Sequence, residues 1–155
     1  MKLNGDFEVN SDTAKVWASI SGPDRFLDFL PGVESVDADG DRFDIRFKVD
    51  IKQYTGKFIG ASYLSNANIK FSGRIKDKVP GSSLSIEGTG KSIGIRFRMK
   101  ISIKISKAPA KTVIHWGADV DIGGFVKLFG QETVRAVAEN SIKTIIDSLK
   151  RSLSE

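Results

Sequence analysis

Cysteine is absent from the 155-residue chain, which excludes a disulfide framework, a thiolate nucleophile and any Cys-based zinc or iron–sulfur site. The single histidine, His115, leaves no multi-histidine metal site to be built within one chain, and any Ser-His-Asp triad would have to use it. No apolar run reaches the ~18 residues of a membrane span. The start MKLNGDFEVN has no apolar signal core, which predicts a protein made and kept in the cytoplasm. Internal repeats, low-complexity tracts and Pro- or Ser-rich linkers are also missing, so residues 1–155 read as a single domain.

What is present is an ordinary globular composition, 40% hydrophobic and 28% charged. At this length folding removes roughly 70% of the unfolded chain's surface, enough for a core without covalent staples. The formal charge of +5 permits an anionic partner without requiring one.

Residues Lys2–Val9 alternate apolar and polar, the period of a half-buried strand. Ser11 reads as the N-cap of a short helix over Asp12–Ile20, with Val16, Trp17 and Ile20 as its apolar stripe. Pro23 suits the first turn of a second helix, Pro23–Leu30, closed by Pro31-Gly32. Strand periodicity then dominates: Phe43, Ile45, Phe47, Val49 and Ile51; Ile69, Phe71, Gly73 and Ile75; and a long run from Ile93 to Ile105. Turn signals at Asp39-Gly40, Ser65-Asn66, Pro80-Gly81 and Lys107–Ala110 separate the runs, and a last strand spans Thr112–Ile122. After Gly130 the period becomes helical, with Val134, Val137, Ala138, Ile142, Ile145, Ile146 and Leu149 on one stripe predicted to face the sheet.

The fold class is therefore α+β. One antiparallel sheet of about seven strands with a single apolar face and one long amphipathic helix bury both faces together when the sheet curls around the helix, leaving room for a cavity between them. Glycines at strand positions, Gly60, Gly73, Gly88, Gly90 and Gly94, fit bending of that sheet or close approach of a ligand.

Catalytic signals are weak. The alternation puts His115 on the outward face with Asp119 and Asp121. The carboxylate pairs Asp37/Asp39, Asp39/Asp41 and Asp119/Asp121 read as solvated rather than as glycosidase or metal chemistry. Gly88-Thr89-Gly90 has neither a following helix nor a P-loop lysine-serine pair, so it carries no nucleotide-binding signal. The basic residues Arg96, Arg98, Lys100 and Lys104 share a face without interleaved aromatics, which argues against nucleic acid. They read as a solvated sheet face, with contact to an acidic partner or anionic lipid as the competing reading. Phe26, Leu27, Phe29 and Leu30 are too many large apolar residues for so short a helix to bury, so some of them are expected at a cavity mouth. Tyr54 and Tyr63 could lend a polar handle inside the cavity or at its rim.

Several segments carry a family resemblance over nearly the whole chain: MKLNGDFEVN, Ala14-Lys15-Val16-Trp17, Phe29-Leu30-Pro31-Gly32-Val33-Glu34-Ser35, Gly56-Lys57-Phe58-Ile59-Gly60 and Ala118-Asp119-Val120-Asp121-Ile122-Gly123-Gly124. With the element order, they resemble the START-like (SRPBCC, helix-grip) superfamily and, within it, the CoxG family of carbon monoxide dehydrogenase subunits. That resemblance implies a deep apolar cavity for a lipophilic molecule, quinone-like or lipid. It also implies a link to recruitment of carbon monoxide or related molybdenum dehydrogenases to the membrane, hence a dehydrogenase partner and peripheral membrane contact. No cofactor and no shared catalytic triad follow from it. The expected lining is Phe26, Phe29, Leu30, Phe58, Phe71, Phe97, Met99 and Trp116, with Val137 and Ile142 from the helix. Three functions compete: a non-catalytic carrier, an aromatase/cyclase-like enzyme acting in the same cavity, and an adaptor for a larger dehydrogenase. The apolar inward positions favour the carrier.

Overall fold

The computed structural model describes residues 1–30, 32–49, 67–92, 95–124 and 126–154, with side chains for all of these except 26, 27, 49, 67, 95, 124, 126–131, 133, 134, 137 and 154. Strand β1, Lys2–Val9, leads into helix α1, Thr13–Ile20. The N-cap is Asp12, one residue beyond the expected Ser11: its extended backbone lets the carboxylate accept the Lys15 amide at 2.8 Å. The Ser11 carbonyl instead accepts the buried Thr112 hydroxyl at 2.7 Å.

The expected helix Pro23–Leu30 divides into α2, Pro23–Phe26, and a 3-10 turn, Leu27–Phe29. A residue preceding proline is pushed out of the α region, so the segment tightens and stops before Pro31. Gly32 follows with φ +72, and a Cβ there would lie 2.7 Å from the Lys48 carbonyl oxygen. The Lys48 amide donates to the Gly32 carbonyl at 3.0 Å, which ties this corner to the sheet. Only glycine satisfies both the left-handed backbone and the close approach.

The remaining strands are β2 Val33–Asp39, β3 Arg42–Val49, β4 Ala67–Val79, β5 Ser83–Ser92, β6 Ile95–Ala108 and β7 Lys111–Gly124. Among the described residues they form one antiparallel sheet in the order β1-β7-β6-β5-β4-β3-β2. β2 to β7 are successive neighbours, and β1 closes the far edge against β7. The β6–β7 ladder runs without a slip from Ile95↔Gly124 to Ala108↔Lys111. β4 carries a bulge between Lys76 and Val79, where Asp77 adopts φ +53. β2 has almost no buried position and little apolar alternation, in keeping with its place at the edge. The segment Gly56–Gly60, the strand residue Ile51, the turn Ser65-Asn66, the run start Ile93 and the strand glycine Gly94 lie outside the described residues.

Helix α3 spans Val126–Ser154, 29 residues or about 43 Å. It begins soon after Gly123-Gly124 and runs through Gly130, so the glycine pair, not Gly130, marks the boundary. It packs on β1, β7 and the 3-10 turn. Its buried anchors are Leu149 and Leu153, clustered with Val9, Val16, Ile20 and Ile114. Ala138, Ile142, Ile145 and Ile146 are half-buried, so the expected stripe is fully packed only toward its C-terminal end. The side chains of Val134 and Val137 lie outside the described residues. No helix among the described residues is long and apolar enough to cross a membrane.

Candidate binding site

The apolar face of the sheet is built on glycines. Gly73 and Gly88 stand opposite each other across β4 and β5, and Gly90 stands between Phe71 and Phe97. The space above each is taken by a ring: a Cβ at Gly73 would collide with Phe43, at Gly88 with Phe71, and at Gly90 with Phe97. These glycines serve phenylalanines of the same sheet rather than a ligand's close approach. The rings form a file, Phe43 to Phe71 at 5.9 Å and Phe71 to Phe97 at 6.0 Å between centroids, within the range of favourable aromatic contact. Gly5 gives the same support to Trp116, whose ring would meet a Cβ there at 2.9 Å.

Of the residues expected to line a cavity, Phe71 is fully buried, while Phe29, Leu30, Phe97 and Met99 are partly buried against the core. Trp116 and Ile142 are also half-buried. Phe97 and Met99 share the inward face of β6 with Ile101 and Ile103, and Trp116 lies opposite Ile103 on β7. Ile142 lies on α3, which packs over β1 and β7. Phe58, Tyr54, Tyr63 and Gly60 fall outside the described residues, as do the side chains of Phe26, Leu27 and Val137. The inward positions Phe47, Ile69, Phe97, Met99, Ile101, Ile103, Trp116, Val120 and Ile122 all keep some exposure. Together they leave a stretch of large apolar side chains partly open, the kind of surface a ligand or partner can cover.

The opposite face is polar and holds two open troughs, of about 540 Å³ and about 1130 Å³. In the smaller, Glu87 lies 3.0 Å from the Lys76 ammonium and 3.7 Å from that of Lys100. The Lys76 hydrogen bond, and then the two positive charges, hold its carboxyl below the ordinary glutamate value. His115 is exposed, as its alternation predicts, and its Nδ1 lies 2.5 Å from Asp6 Oδ1 across the β1–β7 pair. Among the described residues no three His, Asp or Glu side chains cluster as a metal site would need. Of the basic residues singled out along β6, Lys100 pairs with Glu87, Arg98 stands opposite Asp121, and Lys104 stands opposite His115. Arg96 instead stands beside Lys91, with Lys70 and Arg46 beyond it, a grouping that alternation along any one strand does not reveal.

A sequence profile of the CoxG family of carbon monoxide dehydrogenase subunits matches residues 5–154. Among curated proteins none is similar enough in sequence to count as a match. Among solved structures, a conserved protein from Geobacillus kaustophilus superposes with a TM-score of 0.83 at 16% identity, covering 99% of this chain and 95% of that one. A START superfamily protein from Mycobacterium smegmatis gives 0.67 at 12% identity, with 99% and 97% covered. A protein from Rhizobium loti gives 0.70 at 9% identity, with 99% and 96% covered. At these identities the likeness is one of fold, and the fold is START-like.

Proposed function

Because the chain belongs to the CoxG family of carbon monoxide dehydrogenase subunits, we propose that it is a non-catalytic carrier of a lipophilic molecule, quinone-like or isoprenoid, working with a carbon monoxide or related molybdenum dehydrogenase. The ligand would lie between the apolar face of the sheet and α3. The observation that carries this reading is the row of half-covered apolar side chains on β6 and β7, which offers apolar surface still to be buried. Contact of the carrier with a dehydrogenase or a membrane surface belongs to the same proposal and rests on the family relationship.

The test is titration of quinones of increasing tail length. Affinity is expected to rise by ~0.8 kcal/mol per buried methylene until the space is filled, and to depend little on salt. Met99→Asp places a charge on the half-covered face and should abolish binding, while circular dichroism reports an intact fold. Indifference to tail length, unchanged binding by Met99→Asp, or conversion of the ligand by the pure protein would each defeat the carrier reading. Conversion would favour the cyclase-like alternative instead.

A further inference from the structure

The cross-strand rows of the polar face differ in how they place charge. One reads Lys2, Asp119, Lys100, Glu87 and Arg74 from β1 to β4, each cation beside an acid. Nearer the other end of these strands, Arg96, Lys91, Lys70 and Arg46 stand directly opposite one another on β6, β5, β4 and β3. All four are exposed, and among the described residues none of them makes an ion pair. With strands ~4.8 Å apart, the row spans about 14 Å. Like charges set opposite each other in a sheet destabilise it. The protein therefore holds four cations side by side, none of them in an ion pair with a described acid.

This row lines the trough of about 1130 Å³. Asp37, Asp44 and Asp121 also line the trough: Asp44 accepts a hydrogen bond from Ser72, and Asp121 stands opposite Arg98. Ser35 and Thr89 line the same space. We propose that this trough binds a small ligand carrying two or more phosphate groups, held by Arg46, Lys70, Lys91 and Arg96. An arginine at each end supplies the planar fork that grips phosphate oxygens in pairs, and the two lysines supply point charge between them. The concavity favours a compact anion over a bilayer, which is flat on this scale. The site lies on the face opposite the apolar one, so it stands or falls independently of the lipophilic carrier.

The experiment is calorimetric titration of the full chain with inorganic tripolyphosphate at low ionic strength. The wild type should bind saturably, and more weakly as salt is raised. Lys70→Gln with Lys91→Gln should weaken binding at least about tenfold, whereas Lys78→Gln, which removes a cation paired with Asp41, should leave it within about twofold. The ligand-free double variant should melt at or above the wild-type temperature, because it relieves repulsion, so lost binding will not reflect a lost fold. The proposal is overturned by absence of saturable binding, by equal affinity of the double variant, or by equally tight binding of a poly-glutamate peptide. Binding of vesicles rich in anionic phospholipid that tripolyphosphate fails to displace would also overturn it, in favour of a membrane surface.

Discussion

Two glycines of the sheet should respond in opposite ways to an added methyl group. A Cβ at Gly88 would meet not only the Phe71 ring but also the Ser72 carbonyl oxygen at 2.5 Å, and backbone has no rotamer to escape into. Gly88→Ala should cost about 1–3 kcal/mol by overpacking. A Cβ at Gly117 meets nothing nearer than the Leu3 carbonyl at 3.9 Å, so Gly117→Ala should be neutral or slightly stabilising. Urea denaturation of the two variants checks the contrast. Glu87 sets a pH dependence at the same scale. Its carboxyl is held below the ordinary value of 4.5, chiefly by the Lys76 hydrogen bond. A depressed folded-state value favours the fold above the unfolded value, and the contribution is lost as pH falls through the folded one. The melting-temperature difference between wild type and Glu87→Gln should thus be constant near neutrality and shrink below about pH 4.5.

At the scale of elements, α3 is anchored from one end. Leu149 at 6% exposure and Leu153 at 3% pack with Val16 of α1, whereas Ile142 and Ile145 are only half-covered. Leu149→Ala should cost about 2–4 kcal/mol, and Ile142→Ala clearly less, because a partly open site loses less transfer energy and leaves no closed cavity. Should the two cost the same, the helix is not packed unevenly along its length. α1 is held in turn by its cap, and Asp12→Ala should remove ~1 kcal/mol by releasing the Lys15 amide. Thermal melts of the three variants decide both points.

For the whole molecule, protection against unfolding should follow the sheet order. β6 and β7 are interior, 14 residues each and paired along their length, whereas β2 is an exposed edge strand of 7 residues. Amide hydrogen exchange should find the β6–β7 ladder opening only with global unfolding and β2 opening locally at much lower free energy. Comparable protection in β2 and β6 would contradict this ranking. The two faces also divide the chemistry: one offers apolar surface beside α3, the other opens into charged troughs. A single sheet thereby presents two unlike surfaces without a second domain's worth of chain between them.

Much of this is legible in the sequence, because it depends on periods two to four residues long. The alternation from Phe43 to Val49 and along β6 and β7 marks strands and the side on which each residue stands, His115 outward included. The spacing of Ala138, Ile142, Ile145 and Leu149 marks the last helix, and Asp39-Gly40 and Pro80-Gly81 mark turns in which Gly40 and Gly81 adopt positive φ. β2 is not legible, since an exposed edge strand needs no apolar alternation. Nor is the helix boundary at Gly124, since the helix runs through Gly130 despite the low helix propensity of glycine. The deeper gap concerns register. Which residues stand opposite one another depends on pairings between segments tens of residues apart, and Leu3 meets Ala118 only across the whole chain. Sequence supplies the rings and the glycines, but only the β4–β5 and β5–β6 registers set Phe71 over Gly88 and Phe97 over Gly90. The same two registers, with that of β3 and β4, bring Arg46, Lys70, Lys91 and Arg96 into one row, a charge arrangement that no local pattern encodes.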